Sequence, residues 1–211
     1  MKTDDLIDAL AAGLEPARPA RLSAPLLTGA AVVAVLGVVL WLGVRPHLLD
    51  AFQGPALWWK AAYTLVLASM ALWLGARLGK PGADARAPAV SLVAVAMIAL
   101  ALGGIELAAL PQSERLAAWL GHSWTVCGRN ILVVSLFAGP LVFLSARKFA
   151  PTRPGMAGFA LGVAAGGIAA TAYGLLYCGE VSVAFVATWY SLGVLAAGLM
   201  GAAAGHFALR W

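Results

Sequence analysis

The chain has 211 residues, of which 62% are hydrophobic and only 11% charged, and its net charge is +5. Soluble domains carry about 25% charged and about 45–50% apolar residues, so an ordinary water-soluble domain is excluded. The low charge excludes a disordered chain, and two cysteines are too few for a disulfide-rich secreted scaffold. Because the apolar residues form continuous runs, we expect an all-α polytopic membrane protein and no β-barrel.

The first 23 residues are predicted to form a short partner-binding segment outside the membrane. An amphipathic helix is expected over Met1–Pro16, with an apolar stripe of Leu6, Ile7, Leu10 and Leu14 and acidic residues Asp4, Asp5, Asp8 and Glu15. Helices that lie on anionic membranes usually have basic polar faces, and about 13 residues are marginally helical alone. The pattern favours docking on a protein partner with a basic groove or on the chain's own basic loops.

Six apolar stretches predict a bundle of six transmembrane helices over residues 24–211. The clear stretches are Pro25–Val44, Leu57–Ala76, Ala89–Leu110, Gly155–Tyr177 and the residues that follow Val181. The remaining one, Ile131–Ala146, is short, so its helix is expected to begin near Thr125 or Val126. That start brings Arg129 into the outer end of the span.

Two local patterns add detail to this bundle. Residues Pro111–Gly121 predict a short interfacial helix that Gly121 closes, with Trp119 and Leu120 facing lipid. The last two spans are rich in small residues, which allow close helix packing: Gly162, Gly166, Gly167, Gly193, Gly198, Gly201 and Gly205.

The distribution of basic residues predicts the orientation. Of the 14 lysines and arginines, four lie on one side of the predicted spans, namely Arg45, Lys60, Arg115 and Arg129, and the other ten share a side with both termini. By the positive-inside rule both termini are expected in the cytoplasm. The basic charge then reflects topology, so membrane lipids are expected as neighbours and no nucleic acid is expected as a direct partner.

The two cysteines, Cys127 and Cys178, are predicted to lie at the outer face, at the same depth. In an oxidising compartment two nearby thiols can persist as a disulfide. A plain stabilising disulfide, or two unpaired cysteines at helix ends, fits the pattern equally well. A metal site of Cys127, Cys178, His122 and a carboxylate has suitable ligand types but no metal-motif spacing.

Four ionisable residues near the outer face form a predicted polar cluster: Glu106, His122, Arg129 and Glu180. Either Glu106 or Glu180 is expected to pair with Arg129, in a structural role and not as part of a ligand site. The chain has no serine–histidine–acid set, phosphate loop or histidine/glutamate metal motif, so neither an enzyme nor a cofactor is expected.

Several stretches also resemble a known family. They are the opening MKTDDLIDAL, Cys127 followed later by Tyr177–Glu180, the pair Trp189–Tyr190 and the final Leu209–Trp211. Together they resemble the NrsF-type family of six-span anti-sigma factors of the bacterial inner membrane, which restrain an extracytoplasmic-function (ECF) sigma factor. The resemblance runs over nearly the whole chain.

This resemblance implies two functional regions. The residues that would contact the sigma factor are Asp4, Asp5, Leu6, Ile7 and Leu10, and those that would sense an oxidant or heavy metal are Cys127 and Cys178. The alternative functions are a membrane thiol–disulfide oxidoreductase and a small transporter. The first would need a second cysteine pair to pass electrons on, and the second usually shows polar or broken helices at the membrane midplane.

Overall fold

The computed structural model describes Thr3, Asp5, Leu10, Ala12 and residues 21–46 and 48–209. Over these residues the fold is all-α, as predicted. The helices are α1 (Ala24–Trp41), α2 (Leu48–Ala51), α3 (Pro55–Leu78), α4 (Arg86–Ala109), α5 (Gln112–Leu120), α6 (Trp124–Ser145), α7 (Pro154–Leu176), α8 (Val183–Phe185) and α9 (Ser191–Ala208), with a π-helical turn (Val186–Tyr190) between the last two.

Among the described residues, six helical segments are long and apolar enough to cross a membrane, which confirms the predicted number. They are α1, α3, α4, α5 together with α6, α7, and the continuous run from α8 to α9. Three of them have a proline in the first turn: Pro25, Pro55 and Pro154. Proline is tolerated there because a backbone N–H in the first turn has no acceptor within the helix. The short fourth stretch is extended as expected: α6 begins at Trp124, and Arg129 lies exposed in its second turn.

The bundle has two ends. The terminal end is where α1, α4 and α7 begin and α3, α6 and α9 finish; Arg21, Arg77, Arg86, Arg147, Lys148 and Arg153 lie there. The cysteine end is the opposite one and holds α2, α5, α8 and both cysteines. Since the chain crosses the bundle six times, three connections meet at the cysteine end, and two connections lie at the terminal end.

Helix α7 lies at the centre of the bundle, where it packs against α1, α3, α6 and α9. Its contact with α9 is a glycine seam made by Gly158 and Gly162 on α7 and Gly201 and Gly205 on α9. A Cβ atom added at Gly158 would lie 2.7 Å from the Cα of Gly205, and one at Gly162 would lie 2.9 Å from the Cα of Gly201. The backbones therefore touch, as the glycine-rich pattern predicted.

Helix α5 is the predicted interfacial helix, and it ends at Gly121 in the left-handed region with φ +55°. Its Trp119 and Leu120, which were predicted to face lipid, are both half-buried. The Trp119 indole N–H donates to Thr188 Oγ1 at 3.2 Å, and the Trp189 indole donates to the Trp119 carbonyl at 2.9 Å. These bonds fasten α5 to the π-helical turn, because an indole N–H needs an acceptor when it leaves water.

The predicted N-terminal helix is described at only a few positions. Thr3, Asp5 and Leu10 are helical and exposed. Asp4, Leu6, Ile7, Asp8 and Leu14, which belong to the same prediction, lie outside the described residues.

Candidate functional site

The two cysteines are neighbours at the cysteine end of the bundle. Cys127 lies in the first turn of α6, where its N–H donates to the Ser123 carbonyl at 2.9 Å. Cys178 follows α7, and its N–H donates to the Tyr173 carbonyl at 3.0 Å. Both side chains are buried free thiols, and the thiols interact directly with each other. The fold thus brings together two residues that the sequence separates by a whole helical hairpin.

Two buried phenols flank the thiol pair. Tyr173 lies beside Cys127 and Tyr190 beside Cys178, and the two rings are 6.0 Å apart between centroids. Neither phenol oxygen has a partner with hydrogen-bond geometry, and the same holds for the Asn130 side-chain oxygen. Because unpaired buried polar atoms are rare in folded proteins, these atoms mark a region organised for something other than maximal stability.

Two cations bind the backbone around Cys178. Lys60 of α3 is only 2% exposed, and its Nζ donates to the Cys178 carbonyl at 3.1 Å and to the Glu180 carbonyl at 2.6 Å. Arg45, between α1 and α2, donates through Nη1 to the same Cys178 carbonyl at 3.2 Å. The Arg45 backbone N–H donates to the Leu176 carbonyl at 2.9 Å. The loop after α7 is therefore held from two other helical hairpins.

These neighbours favour the charged form of Cys178. The hydrogen-bonding interaction with the Cys127 thiol is the largest influence, and the Tyr190 hydroxyl and the Lys60 ammonium act in the same direction. Against the opposing effect of burial, they lower the pKa of the Cys178 thiol to about 6. Since the thiolate is the nucleophile and the metal ligand, the lowered pKa favours the form of Cys178 that reacts.

The two acidic residues hold helix starts. Glu180 Oε1 accepts from the His122 N–H at 2.8 Å and from Ser123 Oγ at 3.0 Å, just before α6. Glu106 Oε2 accepts from Ser182 Oγ at 2.9 Å and from the Ala184 N–H at 2.7 Å, at the start of α8. Carboxylates at helix N-termini satisfy free N–H groups and complement the helix dipole.

The predicted ion pair with Arg129 is therefore wrong for both carboxylates. Their hydrogen bonds go to the helix starts, while Arg129 is exposed on the outside of α6. The physical reason is that the first N–H groups of a helix have no partner within the helix, so they attract a carboxylate in place of a charged side chain. The folded backbone holds these N–H groups next to Glu106 and Glu180. Of the predicted polar cluster, the structure shows one contact, between the Glu180 carboxylate and the His122 backbone N–H.

The suggested metal set is not assembled by the described residues. No group of three or more histidine, cysteine, aspartate or glutamate side chains lies together in that part of the chain. His122 is exposed and approaches Glu180 through its backbone N–H. What the site offers a soft metal is the pair of sulfurs, which suits thiophilic ions.

Sequence reasoning missed the residues that surround the thiols: Arg45, Lys60, Asn130, Tyr173 and Tyr190. Lys60 carried a usable signal, because it lies inside a predicted span and an intramembrane lysine is by default functional. The tyrosines and Asn130 carried none, since their contacts depend on how α6, α7 and the π-helical turn pack together.

Six helical segments of the described residues are long and apolar enough to cross a membrane. One end holds a buried thiol pair with the buried Lys60 and the half-buried Arg45 beside it. These features define the class: a polytopic helical membrane protein with a thiol site. The comparisons with known proteins are more specific. The family model described as "NrsF: Negative regulator of sigma F" matches residues 10–211. The chain belongs to this family, as its resemblance in sequence suggested.

Two relatives cover their own length and this chain completely. The "Anti-sigma-F factor NrsF" of Caulobacter vibrioides (strain NA1000 / CB15N) is 46% identical over 218 residues. The "Probable anti-sigma-F factor NrsF" of Azospira oryzae (strain ATCC BAA-33 / DSM 13638 / PS) is 34% identical over 215 residues. Both carry the names of regulatory proteins and not of enzymes. No solved structure matches this chain.

Proposed function

We propose that this protein is a membrane-anchored anti-sigma factor of the bacterial inner membrane. Its N-terminal segment captures an ECF sigma factor, and an oxidant or heavy metal acting on Cys127 and Cys178 causes release. The observation that carries the proposal is the 46% identity, over the full length of both chains, to a protein named as an anti-sigma-F factor.

The N-terminal segment supplies the sigma-binding surface. Leu10, on its apolar stripe, is 66% exposed, so that stripe is open to a partner at this position. The acidic residues around it suit a protein groove with basic rims. The residues proposed to bind are Asp4, Asp5, Leu6, Ile7, Asp8, Leu10 and Leu14.

The charge of the two ends supports a cytoplasmic N-terminus. The terminal end collects Arg21, Arg77, Lys80, Arg86, Arg147, Lys148 and Arg153, whereas Arg45, Lys60, Arg115 and Arg129 lie toward the cysteine end. The end with more lysine and arginine faces the cytoplasm by the positive-inside rule, where sigma factors act. The thiol pair then faces the oxidising periplasm.

Helix α6 offers a direct connection between the two ends. Its first turn carries Cys127, and its last residue, Ser145, accepts a hydrogen bond from the Ser23 N–H at 3.3 Å. Ser23 joins the N-terminal segment to α1. A helix of 22 residues spans about 33 Å at 1.5 Å per residue. Displacement of α6 by chemistry at Cys127 would therefore reach the base of the segment.

Capture of sigma factors by the full-length protein in lipid nanodiscs tests the proposal. Each sigma factor of the source genome is expressed separately and offered to the wild-type protein and to the Leu6→Asp/Leu10→Asp double variant. One should bind the wild type and lose binding to the variant, because a buried leucine contributes about 1.5–3 kcal/mol. Ala12→Asp, on the acidic side of the predicted helix and away from its apolar stripe, is the matched control for added negative charge and should still bind.

Two results would contradict this proposal. One is the absence of any captured sigma factor, and the other is equal capture by the double variant and the wild type. Reporter fusions test the orientation separately: those after Arg86 and Arg153 should report cytoplasm, and those after Gln112 and Gly179 should report periplasm. A cytoplasmic signal at Gly179 would overturn both the orientation and the periplasmic thiol signal.

A further inference from the structure

We propose that Lys60 and Arg45 are positioning residues that make Cys178 the reacting member of the thiol pair and leave Cys127 to resolve its oxidised form. The inference rests on the proposed function only in taking the pair to be redox-active. It assigns different roles to two cysteines that the sequence presents as equivalent, and it gives a role to the buried Lys60 and the half-buried Arg45.

The contacts around the two cysteines are unequal. Lys60 Nζ and Arg45 Nη1 both donate to the Cys178 carbonyl, at 3.1 and 3.2 Å. Lys60 also holds the Glu180 carbonyl at 2.6 Å. The Cys127 backbone instead belongs to α6 and bonds to Ser123. Both cations therefore act on the loop of Cys178.

The titratable and charged groups that face Cys178 come from every neighbouring element. They are Cys127 of α6, Tyr173 of α7, Tyr190 of the π-helical turn, Lys60 of α3, Arg45 of the α1–α2 connection and Glu180 of its own loop. The Glu180 carboxylate is engaged by His122 and Ser123. Arg45 Nε and Nη2 are buried without a hydrogen-bond partner.

A thiolate at Cys178 is thus a counter-charge for the buried Lys60 ammonium, and the half-buried Arg45 guanidinium is held on the same loop. Buried charges need compensation because their removal from water is expensive. The lowered pKa of the Cys178 thiol agrees with this arrangement. Lys60 and Arg45 need not touch an oxidant to act in this way, since they influence the sulfur through the loop and through their charge.

The order of reaction can be written with a hydroperoxide as the oxidant. The Cys178 thiolate attacks the terminal peroxide oxygen, the O–O bond breaks, and the alkoxide leaves and takes a proton to become the alcohol. Cys178 is then a sulfenic acid. The Cys127 sulfur attacks the sulfenic sulfur and loses its proton, and the sulfenic oxygen departs as water. In total, the two thiols lose two electrons and become one disulfide, and these two electrons reduce one hydroperoxide to an alcohol and water.

A titration of Cys178 alone tests the role of the cations. In the Cys127→Ser protein, ultraviolet absorbance of the thiolate is followed against pH, with the Cys127→Ser/Cys178→Ser protein as the blank. Adding Lys60→Gln should move the titration midpoint to higher pH, and a midpoint about one pH unit higher lowers the thiolate population about tenfold at any pH below both midpoints. Lys60→Arg should restore the low midpoint. Lys80→Gln, at the terminal end, is the matched control and should leave it unchanged.

Arg45→Gln provides the same test independently if circular dichroism shows that Lys60→Gln does not fold. An unchanged titration in whichever of these variants folds would overturn the proposal. So would equally raised midpoints in the Lys60→Gln and Lys80→Gln proteins, because the effect would then be one of net charge alone.

Chemical trapping tests the assignment of the two cysteines. After cumene hydroperoxide, dimedone should label Cys178 in the Cys127→Ser protein and give about tenfold less label, or even weaker label, on Cys127 in the Cys178→Ser protein, because the thiolate is the form that reacts. Equal labelling would overturn the assignment. Neither experiment involves a sigma factor. The titration and the labelling can therefore be interpreted even if the proposed anti-sigma function is wrong, and the capture of sigma factors can be interpreted even if the roles of the two cysteines are wrong.

Discussion

The glycine seam and the cysteine end hold the same helix, α7, by opposite means. In the seam, α7 and α9 touch backbone to backbone at Gly158 and Gly162. At the cysteine end, α7 leads into a loop that is held by the side chains of Lys60 and Arg45. Two helices whose backbones touch have little room to shift, whereas a loop held by side-chain hydrogen bonds can move when those bonds break and form again.

The hydrogen bonds of buried side chains show the same contrast. Five buried side-chain atoms in the described residues lack a partner, and they belong to Arg45, Asn130, Tyr173 and Tyr190. All of these residues lie toward the cysteine end. Leaving such atoms unpaired opposes stability. The glycine seam is therefore the closely packed part of the fold, and the region around the thiols is the part with unpaired polar atoms.

The largest effect is expected from filling the seam. In Gly162→Leu, the new Cβ would meet the Cα of Gly201 at 2.9 Å and the Cα of Gly198 at 3.0 Å. Backbone atoms cannot rotate away, so destabilisation should reach or exceed the about 1–3 kcal/mol typical of overpacking. Thermal unfolding in detergent measures it. Gly104→Leu on α4, where nothing lies within 4 Å of an added Cβ, should unfold like the wild type.

Changing the thiols should remove a response and leave the fold intact. We expect Cys127→Ser and Cys178→Ser each to abolish induction of the sigma-dependent promoter by oxidant or soft metal, with basal repression kept. A reporter gene measures both quantities in the same cells. If either variant lost folding and repression together, the pair would be a structural staple, and the contrast between the two regions would be lost.

Stability of the reduced protein should depend on pH through Cys178. The Cys127 thiol, Tyr190 and Lys60 lower the pKa of this thiol from 9.0 to about 6 in the folded state. Between these two values the unfolded state binds more protons, so the free energy of unfolding should increase from pH 6 to pH 9. Thermal unfolding under reductant measures this dependence. The same slope in Cys178→Ser would assign it to another group.

The smallest effect should come from two tyrosines. Tyr63 Oη and Ser191 Oγ are hydrogen-bonded at 2.6 Å, so Tyr63→Phe should cost about 1 kcal/mol. The Tyr190 hydroxyl lies beside the Cys178 thiol but has no partner with hydrogen-bond geometry, so Tyr190→Phe should cost less or even stabilise while Cys178 is protonated. Unfolding of the two variants side by side measures the difference. A larger loss for Tyr190→Phe would show that its hydroxyl supports the thiol site.

Local properties of the chain were enough to predict the spans and their packing surfaces. A run of apolar residues must be helical in lipid because every backbone N–H and C=O needs a partner within its own segment. This rule predicted six spans and the early start of α6, and the glycine spacing predicted the close approach of α7 to α9. Gly121 closes α5 as predicted, because glycine accepts its positive φ without strain.

Only the tertiary structure decided which polar groups meet. Lys60 and Cys178 are 118 positions apart and Arg45 and Cys178 are 133 apart, and hydropathy carries no information on such pairs. The same limit explains the wrong ion pair of Arg129: charge type predicted a partner, but the helix starts that bind Glu106 and Glu180 exist only once α6 and α8 are in place. A side chain's partner at the cysteine end is set by the packing of three connections, and no local pattern encodes that packing.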